Sequence, residues 1–118
     1  MSRTVEHTVT FTAGATYSTT ARVPESGLSG AVFIHPALEN HTNSLYAARD
    51  SAFATEYAVW DNSLATPALV TLGDPDAATA DDLSEVAKGL SGLYVRWGAG
   101  AETHDTSYTG YWRFTLDE

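Results

Sequence analysis

The chain has 118 residues, 43% hydrophobic and 18% charged, and its 15 acidic against 6 basic residues leave a net charge of −9. That length and balance describe one packed domain over residues 1–118 rather than a disordered tail, with roughly two-thirds of the unfolded surface to bury. The acid excess disfavours phosphate backbones and anionic membranes, so neither nucleic acid nor a membrane is an expected partner.

Residues 4–12 alternate, with Val5, His7, Val9 and Phe11 on one face and threonines and Glu6 on the other. A period of two is that of a strand with one buried face. Gly14 marks a turn, and 17–23 reads as a second strand, ended by Pro24 and the turn cluster at 25–30. The apolar run 31–34 stops at His35-Pro36, since proline cannot donate to a ladder. Segments 45–48, 57–60 and 67–72 are further strand candidates, and Gly73-Asp74-Pro75-Asp76 is a strong break.

Residues 79–89 read as the helix. Thr79 would cap it, Asp81 and Asp82 would occupy the first turn, Lys88 the last, and Gly89 the left-handed C-terminal position. Leu83, Val86, Ala87 and Leu90 give it one apolar face. Strands at 93–97 and 108–116 close the chain. About eight short strands plus one short helix predict an all-β fold, an antiparallel β-sandwich with jelly-roll character. The echo GLSG at 27–30 and 89–92 reads as a repeated device, a turn that delivers a leucine to the core and starts a strand.

Cysteine is absent, which removes disulfides, thiolate ligands and cysteine nucleophiles together. His7 reads as a core or edge histidine. His35 and His41 flank a loop holding Glu39, a set with the donor types of a divalent metal site, although loop histidines of this kind are usually solvated. His104-Asp105 is a neighbouring pair, and adjacency in sequence does not make a dyad. Asp74, Asp76, Asp81 and Asp82 offer the hard oxygens calcium prefers, but without the spacing of a twelve-residue calcium loop they read as turn and helix-terminus residues. The nucleophile elbow G-x-S-x-G, H-E-x-x-H, the Walker loop and a dinucleotide fingerprint are all missing. The chain is therefore read as a non-enzyme, with no catalytic residue, metal or cofactor assigned. A small hydrolase using Asp74, Asp76 or His104 ranks last. The N-terminal segment lacks the apolar core of a secretory leader and no apolar run approaches ~20 residues, so synthesis in a cytoplasm is expected.

The aromatic residues carry more. Tyr94, Trp97, Tyr108, Tyr111 and Trp112 gather toward the C-terminal end. Tyr111 and Trp112 are adjacent on a strand and must point to opposite faces, so one of them lies outside the shared core. Such a ring belongs at a sugar-binding surface or a protein–protein interface. Trp97, Tyr108, Tyr111 and Trp112 are the candidate interface or ligand-stacking residues.

The order of parts is familiar. TVTFTAG leads to ARVP and GLSGAVFI; NSLYAARD and FATEYAVWDNS follow; ALVTLGDP leads through a helix to KGLSGLYVRWGAG; and YWRFTLDE ends the chain. This order resembles small head-associated or decoration-type virion proteins of tailed phages and related viruses. Val23-Pro24, Gly27-Leu28, residues 31–36, 57–61, 90–100 and 112–116 carry the resemblance. His35 before Pro36, Asn62-Ser63 in place of a glycine turn, and Trp112 in place of an acid depart from it. The resemblance implies a bacteriophage-type structural protein in the virion, on the capsid surface or in a head fibre or vertex complex. Its implied partners are the major capsid protein or other virion proteins and further copies of the chain in a homo-oligomer. The terminal YVRW and YWRF strands also look like a galactose-binding jelly roll. That likeness implies the alternative of a carbohydrate-binding module that takes a glycan on Trp97, Tyr111 or Trp112.

Overall fold

A computed structural model describes residues 2–117. In chain order the strands are β1 (Ser2–Phe11), β2 (Ala21–Arg22), β3 (Leu28–His35), β4 (Ser44–Ala48) and β5 (Tyr57–Ala58). They continue as β6 (Trp60–Asp61), β7 (Ala68–Leu69), β8 (Thr79–Asp82), then helix α1 (Ser84–Lys88), β9 (Tyr94–Gly98) and β10 (Tyr108–Asp117). One antiparallel sheet has the order β1-β10-β3-β8, the other β2-β9-β4-β5, and β6 with β7 forms a separate hairpin.

Leaving that hairpin out and recounting the eight remaining strands, the sheets run 1-8-3-6 and 2-7-4-5. Successive strands alternate between the sheets except at the β4–β5 hairpin. This interleaving is that of a jelly roll, in which β6–β7 is an insertion. The expected all-β sandwich is the observed fold.

Period-two alternation explains the core. Val9 and Phe11 on β1, Ala31 and Phe33 on β3, and Trp112, Phe114 and Leu116 on β10 are buried. Leu45, Ala47, Val95 and Trp97 meet them from the other sheet. The ring of Trp97 stacks on Trp112 at 5.7 Å between centroids and 14° between planes, and lies 5.3 Å from Phe33. Phe114 continues the stack 5.4 Å beyond Trp112. Both core indoles leave their N–H groups without a hydrogen-bond partner among the described residues, a cost the packing must offset.

Three local expectations are corrected. Residues 79–82 form strand β8, not the start of the helix: Thr79 pairs with His35 and Asp82 with Val32. The helix is only Ser84–Lys88, opens at Leu83 with no side-chain cap, and has Glu85 rather than the two aspartates in its first turn. Gly89 is right-handed, at φ −73°, and the left-handed residue is Gly92, at φ +80°. In the earlier GLSG copy the left-handed glycine is instead the first, Gly27, at φ +76°, where a Cβ would stand 2.9 Å from the Asp117 carbonyl oxygen. Leu28 and Leu90 both reach the core, so the copies deliver a leucine with different backbones. Of the two readings of His7, the structure shows the edge one: the ring is exposed on edge strand β1, whose burial begins at Val9, with Nε2 3.3 Å from the Thr20 carbonyl oxygen.

An arginine clamp ties the 49–56 loop to the second sheet. The Arg96 guanidinium lies between the rings of Tyr17 and Phe53, 3.7 and 4.2 Å from their centroids. Its Nε and Nη2 donate to Glu56 Oε1 at 3.2 and 2.9 Å, while the Tyr17 hydroxyl donates to Oε2 at 3.1 Å. Phe53 reaches this position in the left-handed region, at φ +53°.

Candidate interaction surface

The polar residues singled out in the sequence are spent on holding loops. Glu39 accepts from the backbone N–H groups of Asp105 and Thr106 at 2.8 and 3.2 Å. Those bonds, led by the one from Asp105 and joined by one from the Tyr108 hydroxyl, hold its carboxyl down at about 2. His41 faces two carboxylates: Nδ1 pairs with Glu102, and Nε2 stands 3.8 Å from Glu39. His104 is buried against Phe11, His41 and Tyr108, its Nε2 without a partner among the described residues, and burial lowers its pKa. The cluster joins the 36–43 loop to the 99–107 loop across one end of the sandwich. His35 does not belong to it.

His35 is buried at the end of β3, with Nδ1 2.7 Å from the Pro36 carbonyl oxygen. Nε2 faces both the Thr79 hydroxyl, at 2.6 Å, and Asp81 Oδ2, at 3.3 Å. In a nucleophile–base–acid relay the carboxylate orients the ring from the nitrogen remote from the nucleophile. Here hydroxyl and carboxylate share one nitrogen and a carbonyl holds the other, so the set braces β3 against β8.

The four aspartates do not converge. Asp74 accepts from the Asp76 backbone N–H at 2.9 Å as a turn, Asp81 accepts from that of Gly73 at 3.0 Å, and Asp82 accepts from the Ser84 hydroxyl at 2.6 Å. Among the described residues no group of three or more histidines and acids is arranged to hold a metal ion.

The aromatic candidates divide. Trp97 and Trp112 are 0% and 1% exposed, so neither ring has a face for a sugar or a partner. That part of the expectation is corrected: the signal that drew attention to them was core packing. Tyr108 packs on the core edge and hydrogen-bonds Glu39. Tyr111 points away from Trp112, as adjacency on a strand requires, and is half-buried on the outer face between Thr8 and Ile34.

The most exposed apolar side chains lie elsewhere. Tyr57 is 56% exposed, Trp60 53% and Leu64 50%, with Leu69 at 36%, while Tyr17, at 37%, lies apart against Arg96. For Trp60 and Leu69 the arrangement follows from parity. Val59 and Val70 turn inward and tie the hairpin base to β4 through the bonds Val59 N–H to Leu45 O and Leu45 N–H to Val70 O, 3.0 and 2.9 Å. Their chain neighbours Trp60 and Leu69 therefore turn outward, paired across the hairpin. Beside α1 the hairpin leaves three adjoining open depressions of about 480, 350 and 470 Å³ running from Leu64 to Tyr57, the first two sharing Val86 and the last two sharing Trp60 and Leu90. The tetrapeptide Tyr57-Ala58-Val59-Trp60 could have marked this face in the sequence. The β-propensity that identified it as a strand does not tell that the strand leaves the sheet.

No family model matches the chain, and no curated protein or solved structure matches it either.

Proposed function

We propose that the chain is a non-enzymatic structural protein of a tailed-virus particle, attached to the head as a decoration, head-fibre or vertex component. The observation that carries a docking role is the apolar face formed by the hairpin and the adjoining β5, which stands outside a closed core and includes two aromatic rings more than half exposed, Tyr57 and Trp60. Soluble domains usually avoid such patches and interfaces use them. The particle itself enters through the motif order of the sequence. The partner is then the major capsid protein or another virion protein, and Tyr111 offers a second contact on the outer face of the first sheet.

The test is association with particles. A tagged chain expressed in cells that produce particles of the source virus should band with the heads on a density gradient, at a fixed ratio to the major capsid protein. A chain that stays at the top of the gradient overturns the reading. If it stays there and binds immobilised glycans through Tyr57 or Trp60, the function moves to carbohydrate recognition.

A further inference from the structure

We infer that the groove between the β6–β7 hairpin and α1 docks a cationic protein segment, one that seats a large apolar side chain between lysines or arginines. This rests on reading the chain as a docking domain, but not on the particle to which that reading assigns it.

One side of the groove lining is apolar: Trp60, Leu64 and Leu69 come from the hairpin and Val86 from the helix. Depressions of this size accept a leucine or an aromatic ring. The rim is acidic, with Asp61, Asp82 and Glu85 all along the half bounded by Leu64 and Val86. Glu85 is paired with Lys88 at 3.2 Å. Among the described residues Asp61 has no ion-pair partner, and Asp82 has none in direct contact, with only the more distant charge of Lys88 acting on it. Each instead accepts a 2.6 Å hydrogen bond from the serine two residues on. Those serine hydroxyls, with the backbone N–H beside each, lower the pKa of both carboxyls and hold them ionised. At the Tyr57 end Arg49 replaces the acids, which sets an orientation: cations toward α1, the apolar anchor against Trp60.

Charge also decides against a second copy. Each chain carries a net charge of −9, so two copies repel one another on approach. Such repulsion acts within a Debye length of about 8 Å at physiological salt. Nucleic acid is disfavoured on the same ground. A basic protein segment satisfies both the apolar side and the acidic rim.

The probes are three synthetic peptides on the intact chain: alternating lysine–leucine, lysine–serine and glutamate–leucine. Binding is followed by fluorescence anisotropy of the labelled peptide. The lysine–leucine peptide should bind at least about tenfold more tightly than the other two. Trp60→Ala should weaken it by a similar factor, since an interface anchor is worth that much or more. Asp61→Asn combined with Asp82→Asn should flatten the salt dependence. Leu64→Ser, at the exposed hairpin tip, serves as a second variant should Trp60→Ala perturb folding. Equal binding by the lysine–serine peptide, or full binding by both hairpin variants, means that diffuse charge attraction is at work and overturns the inference. Binding of the glutamate–leucine peptide overturns the cationic partner, and Trp60-dependent self-association makes a second copy the occupant. Particle association lost with peptide binding intact overturns the virion reading alone.

Discussion

Trp97 and Trp60 are both tryptophans on short strands, and they meet opposite surroundings. Trp97 stands on β9 between the two sheets, its ring against Phe33 and Trp112. Trp60 stands on the inserted hairpin, where its neighbour Val59 takes the inward direction and leaves the indole half open beside α1. Residue type does not separate them. Parity along the strand, and whether a second layer covers that face, does. A core position is covered by construction in a jelly roll, whereas an insertion outside the two sheets has one face that the fold itself never covers.

The comparison is sharpest at Trp97. Trp97→Ala is expected to lower unfolding free energy by ~3–5 kcal/mol, the cost of emptying a large aromatic site in a close-packed core, measured by denaturant titration. Trp97→Phe should cost much less. It keeps most of the ring contacts and removes an indole N–H that has no partner among the described residues. A loss below about 1 kcal/mol for the alanine variant would break the contrast, because the ring would then not be holding the sheets together.

The Arg96 clamp lies between these extremes, with an aromatic face covered by a side chain rather than by a sheet. Arg96→Ala is expected to cost about 1–2 kcal/mol, from two cation–π contacts and a two-nitrogen contact with Glu56 that is partly shielded from water. Arg96→Lys should recover little of it, since an ammonium cannot lie flat between Tyr17 and Phe53. Full rescue by lysine would reduce the clamp to a simple charge pair.

The sandwich was legible because its signals are local. Alternation at 4–12 and 108–116, the His35-Pro36 stop and the turn at 73–76 each mark a strand boundary without reference to the rest of the chain. The helix start was misread because Thr79 and Asp81 carry cap and first-turn chemistry, yet in the fold both are drawn toward His35 on the neighbouring strand. Pairing with β3 overrides propensity there. The site was only partly legible. Tyr111 and Trp112 had to face opposite ways, and they do, but which of the two faced inward depended on the sheet opposite. Trp60 gave no signal of its own, because an outward ring on an inserted hairpin has the same local sequence as an inward ring on a strand.

Acid should loosen the loops that close one end of the core before it reaches the aromatic stack. Burial lowers the pKa of His104 from 6.5, so the unfolded chain takes up its proton first and stability falls as pH drops below that value. The buried ring meets His41 and Tyr108, with the carboxylates of Glu39 and Glu102 beside His41. Glu39, held at about 2 against 4.5 when free, adds stability that is present above 4.5 and lost as pH falls from there toward 2. Thermal melts across this range should show two successive declines. Glu39→Gln should flatten the lower one and leave the upper. An unchanged lower decline in Glu39→Gln would remove the loop cluster as the acid-sensitive part of the fold.

The smallest expected effect is the one that bears most on function. Trp60→Ala should change unfolding free energy by no more than ~0.5 kcal/mol, the range of surface substitutions away from caps, cores and networks. The hairpin base is held by Val59 and Val70, whose side chains are buried and whose backbones bond β4, so removing the outward indole leaves the anchoring contacts in place. Val59→Ala serves as the internal control, expected to cost about 1–2 kcal/mol because it shortens a buried aliphatic side chain one position away. The two variants, adjacent in the chain, should therefore separate by more than the error of a chemical melt. If Trp60→Ala is instead as destabilising as Val59→Ala, the indole is packing for the fold's own sake, and the hairpin face no longer has a ring to spare for a partner.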